Sequence, residues 1–221
     1  GVNKFIFSST AATYGEPDFK ETNKFTIDEE FDTKPINPYG MSKLMSENII
    51  KDEAKVNENF KYLIFRYFNV AGADINYEAD SILTPRVGEL HNPETHLIPL
   101  VVKTALGIRD AITIYGDDYD TFDGTCIRDY IHVDDLADAH IQAISYLNDN
   151  MSDTFNCGYG YGYSVKQIVQ SVKDVTKIDF KVLQGERRIG DPSSLVSNNS
   201  KIKLKMNWTP KYDDLELIVK S

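Results

Sequence analysis

The sequence predicts an α/β fold built on a parallel sheet, because two apolar segments flank a helical pattern near the amino terminus. Residues 5–7 and 62–68 are apolar with little alternation, as in strands that are covered on both faces. Residues 38 to about 56 have a helical pattern. Such a strand–helix–strand unit has a right-handed crossover and joins parallel strands. We therefore expect ligands at residues 8–10, at the carboxyl end of the first strand.

The predicted helix has a favourable beginning. Asn37 suits the N-cap position, and Pro38 suits the first helical position. Gly40 is a poor helix former that costs about 1 kcal/mol relative to Ala, so either tight helix packing or the close approach of another group explains it. One mostly apolar stripe predicts that the helix is packed: Met41, Leu44, Met45, Asn48 and Ile49.

The later elements follow a polar loop at residues 15–38 and a polar, irregular stretch at residues 74–94. Helices are predicted at residues 97–105, after Asp134 as an N-cap, and after Ser164. Strands are predicted at residues 111–115, 128–133, 154–157 and 180–183. The inward faces of the last two helices are predicted to be Leu136, His140, Ala143, Ile144 and Leu147, and Val165, Ile168, Val169 and Val172.

The composition argues against several classes of protein. The chain has 221 residues, of which 41% are hydrophobic and 26% charged, as expected of a globular protein. No apolar run approaches the ~20 residues that span a membrane, and a net charge of −10 argues against a nucleic-acid surface. Cys126 and Cys157 are far apart, which predicts a reducing, cytoplasmic setting. The spacing of the histidines matches no ligand pattern, so no metal site is predicted.

Tyr39 and Lys43 are the most informative pair in the chain. Four residues make one helical turn, so both side chains project from the same face. A neighbouring Lys⁺ stabilises a phenolate, which can act as a general base toward a substrate hydroxyl. Oxidation of that alcohol also needs a hydride acceptor, which is a cofactor such as NAD. The alternative is a solvated surface pair, because Tyr-x-x-x-Lys arises by chance in many helices.

Two further motifs have competing interpretations. Glycines 158, 160 and 162 have G-x-G-x-G spacing rather than G-x-G-x-x-G, which favours a turn entering a helix over a dinucleotide-binding loop. Arg128 and the pair at residues 187–188 lie near glycines and could hold a diphosphate. Ion pairing with Asp129 and Asp191 explains these arginines equally well.

Taken together, residues 5–15, 38–43, 66–72 and 124–137 resemble the UDP-glucose 4-epimerase family of extended short-chain dehydrogenases/reductases. The resemblance runs from about residue 3 to the carboxyl terminus. It implies that residues 1–70 form the C-terminal part of a Rossmann-like doubly wound parallel sheet. Residues 71–221 would mainly form a smaller mixed α/β domain that binds the UDP-sugar, with roughly residues 125–157 returning to the sheet.

The resemblance also implies an activity and a cofactor. The full-length protein would epimerise a UDP-hexose at C4 through a 4-keto intermediate, with NAD as cofactor. Tyr39 would be the base, Lys43 would hold the nicotinamide ribose and Thr10 would bind the same sugar oxygen. Phe68 would contact the nicotinamide end. The family is usually homodimeric, partly through the helix that carries Tyr39.

The remaining implied roles concern the nucleotide-sugar. Asn69 would contact the diphosphate, and Arg128 and Arg188 would bind phosphate. The uridine would contact Leu97, Thr113 and Tyr115, and its ribose would contact Asp191. Leu195 occupies a position that limits sugar size, and its intermediate bulk predicts some tolerance of N-acetylated sugars.

Departures from the family pattern and rival activities complete the prediction. The glycine-rich first unit of the family is not in this chain, so we expect a part of a longer protein that neither retains NAD nor epimerises alone. A nucleotide-sugar 4,6-dehydratase needs an acid and a base beside Thr10, where Ala11 and Ala12 stand. A UDP-glucuronate decarboxylase matches residues 124–137 less well. A non-catalytic nucleotide-sugar-binding module is the alternative from another class.

Overall fold

The fold is described by a computed structural model at residues 1–19, 25–77, 83–149 and 151–221. Its helices are α1 (Pro38–Val56), α2 (Leu97–Ala105), α3 (Val133–Asp149), α4 (Val165–Thr176), α5 (Ser200–Met206) and α6 (Leu215–Lys220). Its strands are β1 (Lys4–Thr10), β2 (Lys61–Tyr67), β3 (Asn69–Ala71), β4 (Asp74–Tyr77), β5 (Leu83–Val87), β6 (Ile112–Tyr115), β7 (Ile127–Arg128), β8 (Tyr130–His132), β9 (Asp153–Cys157), β10 (Tyr163–Ser164), β11 (Val182–Gly185) and β12 (Ser194–Leu195). Within these ranges, no helix is long and apolar enough to cross a membrane.

The central sheet is parallel, in the order β1–β2–β9. This confirms the predicted parallel α/β architecture and the crossover through α1. The middle strand β2 has the buried run Leu63 to Arg66. The edge strand β1 differs from the prediction, because Phe5 is 40% exposed and only its carboxyl end is buried. The division of the chain into two domains near residue 70 stays a prediction.

Helix α1 begins and ends at the predicted residues. The Asn37 side chain accepts a hydrogen bond from the Gly40 backbone N–H at 2.8 Å, and Pro38 occupies the first turn. The prediction of a packed apolar stripe was wrong for this chain, since Met45 is 57% and Ile49 is 70% exposed. The face of α1 that turns inward instead carries Gly40 and Glu47.

A buried ion pair fixes α1 to the sheet. The Arg66 guanidinium donates through Nε and Nη2 to the two oxygens of Glu47, at 3.0 and 2.7 Å. Ser9 Oγ donates to the same carboxylate at 2.6 Å. Glu47 is fully buried and Arg66 is 4% exposed, and the Arg66 guanidinium stacks on the ring of Tyr14 at 4.7 Å. This network joins α1, β1 and β2 directly beneath the residues of interest.

Helix α3 covers one face of the central sheet. Its inward residues join a core cluster of β2 and β9, which contains Leu63, Phe65, Leu136, Ala139, Ala143, Leu147 and Phe155. Two details of the prediction were wrong. The helix begins at Val133, so Asp134 lies inside the first turn, and Ile144 is 57% exposed. His140 is half-buried, as expected of a core residue, and its Nε2 lies 2.6 Å from the Tyr67 hydroxyl.

Smaller sheets surround the central one. Strands β6 and β11 pair in parallel and pack with α2 and α4, which begins with the predicted Ser164 cap. Residues 74–94 are more regular than predicted, because β4 and β5 form an antiparallel pair. Two other predicted strands have different bounds, since β11 begins at Val182 and the strand at 128–133 is split around Asp129.

Asp129 explains this split. Its buried carboxylate accepts hydrogen bonds from the backbone N–H groups of Tyr159, Gly160 and Ser197 and from the Ser197 hydroxyl. Burial raises the pKa of Asp129 to about 6, although these hydrogen bonds oppose the rise. The glycine-rich segment at residues 158–162 is therefore a turn held by Asp129 ahead of α4, in agreement with the prediction that it is not a phosphate loop.

Candidate active site

The first part of the site forms where β1 ends. Thr10 caps a short 3-10 turn (Ala11–Thr13), and its hydroxyl oxygen accepts a hydrogen bond from the Ala12 N–H at 3.1 Å. No described residue uses the hydroxyl hydrogen of Thr10, which remains available to a ligand oxygen. The side chain is 9% exposed, so a ligand can reach it only from one direction.

Helix α1 brings Tyr39 and Lys43 to this strand end. Lys43 Nζ donates to the backbone oxygen of Ser8 at 2.9 Å, and it lies 5.8 Å from the centroid of the Tyr39 ring. Tyr39 is 57% exposed, so its ring is open to a ligand. The lysine is therefore fixed between the sheet and the tyrosine, which favours the catalytic interpretation over a solvated surface pair.

Gly40 determines how closely the helix approaches the strand end. A Cβ atom at this position would lie 2.4 Å from the backbone oxygen of Ala12, which is far inside the normal contact distance. Tight packing thus accounts for the glycine within the first turn of α1. The packing places the turn that carries Tyr39 against the turn that follows Thr10.

Phe68 and Leu195 lie next to this arrangement. Both belong to a buried cluster that also contains Ala11, Tyr14 and Ile27. The Phe68 N–H donates to the Cys157 carbonyl at 3.0 Å, which fixes the chain where β2 ends. Two residues that are distant in sequence are thus brought to the immediate neighbour of Thr10.

Arg128 and Asp191 form a second group. One Nη of Arg128 donates both to the Asp191 carboxylate and to the Pro192 carbonyl, the latter at 2.7 Å. Of the two ion pairs expected from the sequence, the structure contains the one with Asp191, whereas the Asp129 carboxylate faces the turn at residues 158–160. Asn69 is exposed and pairs with Tyr130 in β8, so it lies close to the strand of Arg128.

Arg188 and Tyr115 form a third group. The Arg188 guanidinium stacks on the Tyr115 ring at 4.1 Å. Tyr115 ends β6, which also carries the half-buried Thr113. Leu97 begins α2 and packs against the core cluster that contains Ile114 of the same strand. The predicted uridine contacts are therefore gathered around β6.

A cavity of about 630 Å³ adjoins the second group. Its lining residues are Glu16, Asp118, Tyr119, Asp120, Arg187, Asp191 and Ser193. Among these, only Asp191 was predicted as a site residue. Arg187 pairs with Asp118 and stacks on the Tyr119 ring at 4.2 Å. The available signal for Asp118 and Tyr119 was their position just beyond the carboxyl end of β6, where ligands of α/β sheets bind.

A second cavity of about 390 Å³ lies between α3 and α5 and is lined by none of the predicted site residues. The two cavities therefore differ in their relation to the chemistry. Only the larger one is bordered by Arg187 and Asp191, which are the kind of groups that bind phosphates and sugar hydroxyls.

Known proteins are similar to this chain over almost its whole length. A UDP-glucose 4-epimerase of Rhizobium meliloti is 45% identical over 214 residues, which are 96% of this chain and 61% of that protein. The solved UDP-Glc/GlcNAc 4-epimerase of Campylobacter jejuni is 52% identical, with a TM-score of 0.78 over 100% of this chain and 63% of that one. The UDP-glucose 4-epimerase of Brucella ovis, solved in complex with NAD, is 42% identical, with a TM-score of 0.86 over 98% and 63% of the two chains.

The chain thus spans somewhat less than two thirds of the length of these relatives. Residues 1–158 match a family model described as the NAD dependent epimerase/dehydratase family. That range contains the Thr10 turn, the helix with Tyr39 and Lys43, and Arg128. On this match, the chain belongs to the NAD dependent epimerase/dehydratase family.

Proposed function

We propose that the full-length protein is an NAD-dependent UDP-hexose 4-epimerase that interconverts UDP-glucose and UDP-galactose. The observation that carries the proposal is the placement of Lys43 between the Ser8 carbonyl and the Tyr39 ring, at the strand end that Thr10 terminates. The relatives described above, which are named as UDP-glucose 4-epimerases, support the same conclusion.

The residues present fit the nicotinamide end of NAD. The Lys43 ammonium has three N–H donors and gives one to Ser8, which leaves donors for ribose hydroxyls. Phe68 lies just beyond β2, at the carboxyl edge of the sheet where dinucleotides bind. The cofactor, when bound, would supply the chemistry that no side chain can, by accepting the hydride from C4 and returning it to the opposite face. The NAD in the Brucella ovis structure supports this assignment.

The side chains of this chain would manage the proton. Tyr39 would take the proton from the sugar 4-hydroxyl and return it after the 4-keto sugar has turned over. Lys43 would stabilise the phenolate, and Thr10 would donate its hydroxyl hydrogen to the sugar oxygen. Ala11 and Ala12 follow Thr10 and have no proton to transfer, which disfavours a dehydratase.

The nucleotide would lie across the other two groups. Arg128 and Arg188 would bind the diphosphate, with Asn69 beside Arg128. Thr113, Tyr115 and Leu97 would surround the uridine, and Asp191 would accept from a ribose hydroxyl. The cavity of about 630 Å³ next to Arg128 and Asp191 supports this placement, because it provides space at the charged end of the site.

The direct test is to incubate the intact protein with UDP-galactose. We expect UDP-glucose to form without net NADH release, because the reaction is redox-neutral. A 4-keto-6-deoxy product would indicate a dehydratase, and carbon dioxide from UDP-glucuronate would indicate a decarboxylase. Tight nucleotide-sugar binding with no turnover would indicate a non-catalytic module, and any of these three results would refute the proposal.

The bulk of Leu195 predicts the range of sugars. This residue packs beside Phe68 and Ala11, and the 52% identical Campylobacter jejuni relative is named as acting on both UDP-Glc and UDP-GlcNAc. We expect Leu195→Tyr to lower turnover of UDP-N-acetylglucosamine by about tenfold or more, with a much smaller effect on UDP-galactose, because the ring takes space that the N-acetyl group needs.

The matched control is Leu204→Tyr, which makes the same change at a residue that is 84% exposed. The control should leave both activities unchanged in the same coupled assay. Equal activity of Leu195 and Leu195→Tyr proteins toward the N-acetylated sugar, including equal failure, would contradict the expectation.

We further propose that the intact protein is a homodimer that uses the exposed stripe of α1. Met41, Met45 and Ile49 lie on that stripe and are 41%, 57% and 70% exposed, and burial of such side chains favours association. Sedimentation equilibrium should give twice the mass of one chain, and Met45→Glu should give the monomer. Met151→Glu is the control at an exposed methionine outside α1, and a dimer that survives Met45→Glu would exclude this interface.

We also propose a cytoplasmic location for the protein. Cys126 and Cys157 are both buried free thiols, and burial raises the pKa of each. Thiols of this kind are usual in reducing compartments.

A further inference from the structure

Four side chains that the proposed function does not use converge on the segment that leads into α2. They are Glu89, His91, Glu94 and His96, and one ligand atom from each lies within 4.8 Å of those from the other three. Imidazole nitrogens and carboxylate oxygens are ligands for divalent transition metals. The segment therefore brings together two nitrogen and two oxygen donors, which is a complete set for a four-coordinate ion.

The distances between these donors are close to those of a tetrahedral zinc site. His96 Nδ1 is 2.8 Å from a Glu89 oxygen and 3.0 Å from a Glu94 oxygen. His91 Nδ1 is 3.8 Å from the same Glu94 oxygen. Zinc bonds of about 2.0–2.2 Å place neighbouring ligand atoms roughly 3.3–3.6 Å apart, so shifts of a few tenths of an ångström would complete the tetrahedron.

Glu94 is the best-ordered ligand of the four. Its side chain is only 5% exposed, and its Oε1 accepts hydrogen bonds from the backbone N–H groups of Thr95 and His96 at 2.7 and 2.8 Å. Such supporting hydrogen bonds fix the orientation of a ligating carboxylate. The other three side chains are between 39% and 55% exposed, which leaves an entry path for the ion.

The charges also favour a cation. Two carboxylates face a single nitrogen of His96, which can offer at most one proton to both. A neutral His96 with its proton on Nε2 would present a lone pair to the centre of the cluster, and a divalent ion would balance the two negative charges. An ion thus removes the repulsion that protonation of His96 relieves only in part.

We propose that Glu89, His91, Glu94 and His96 form a binding site for Zn²⁺, with the two histidines coordinating through Nδ1. This differs from the expectation based on spacing, because Glu-x-His-x-x-Glu-x-His matches no common zinc pattern. The site lies immediately before Leu97, the first residue of α2. Bound zinc would therefore fix the entry to this helix.

Zinc titration of the metal-stripped intact protein tests the proposal. We expect one equivalent to bind in competition with a chromophoric chelator, and the double variant His91→Ala/His96→Ala to lose that equivalent. Glu89→Gln should weaken binding by about tenfold or more, since it removes one ligand from an exposed position. Glu58→Gln, at an exposed glutamate elsewhere, is the matched control and should bind as the unmodified protein does.

Cobalt substitution distinguishes this site from binding to the cysteines. Co²⁺ should give the visible bands of a tetrahedral nitrogen and oxygen site without a thiolate charge-transfer band. Circular dichroism should show that the variants fold, because the residues changed are largely exposed. Zinc affinity that is unchanged in the double variant, a thiolate band, or no binding at micromolar zinc would each overturn the proposal.

Discussion

Replacement of Tyr39 by Phe in the intact protein is expected to lower the rate of C4 epimerisation by about 10²–10⁴-fold. The phenol hydroxyl is the proposed proton acceptor, and general acid–base catalysis typically contributes an effect of this size. Binding of the UDP-sugar should change little, since the arginine groups that would hold the nucleotide are untouched. The measurement is kcat for conversion of UDP-galactose, together with the Kd for UDP.

The control for this prediction is Tyr62→Phe, which removes a phenol hydroxyl from β2 that has no hydrogen bond among the described residues. We expect the Tyr62 variant to retain full activity. An epimerisation rate that is the same in the Tyr39 variant as in the unmodified protein would exclude the proposed proton transfer and leave the Lys43 arrangement without a catalytic role.

The second large effect is expected at the buried ion pair. Arg66→Met should lower the free energy of unfolding by about 3–5 kcal/mol, because it leaves the Glu47 carboxylate buried without its main partner. Ser9 and Lys51 still contact this carboxylate, but neither reproduces the two parallel hydrogen bonds of the guanidinium. Urea unfolding followed by circular dichroism measures the change.

The matched control is Arg86→Met. Arg86 also pairs with a carboxylate, that of Asp74, but its own side chain is 57% exposed. Exposed pairs of this kind contribute about 0–1 kcal/mol, so the control should remain close to the unmodified protein. Equal losses in the two variants would show that burial does not determine the strength of the Arg66 pair.

The buried pair should also produce a pH dependence. Burial raises the pKa of the Glu47 carboxyl, but Arg66 and Ser9 outweigh burial and bring the pKa below its ordinary value of 4.5. The stabilisation is therefore fully present above about pH 4.5 and is lost as the pH falls through the lower pKa of the folded state. Arg66→Met should weaken this acid dependence, and an unchanged dependence would assign it to other carboxylates.

Local patterns predicted those parts of the fold that local chemistry determines. The Asn37 and Pro38 pair gave the start of α1, and Ser164 gave the start of α4. The four-residue interval between Tyr39 and Lys43 placed both on one helical face, which the contacts of Lys43 bear out. These features depend on a few neighbouring residues, so they can be recognised from short segments.

Features that depend on distant partners could not be predicted in this way. Periodicity identified the stripe of Met41, Met45 and Ile49 but could not tell whether another element covers it. The break between β7 and β8 depends on a turn about 30 residues later that binds Asp129. The cluster around Glu94 depends on an irregular backbone, which has no period to recognise.

The contact between Gly40 and Ala12 has a consequence for anyone who wishes to redesign this protein. A side chain at position 40 would collide with a main-chain carbonyl, which no rotamer change can move aside. Libraries that aim at new substrates should therefore keep position 40 fixed and diversify Leu195, where neighbouring side chains rather than main chain define the boundary. The reach of the reactive phenol is thus set by an atom that is missing, and its tolerance to variation lies on the opposite wall.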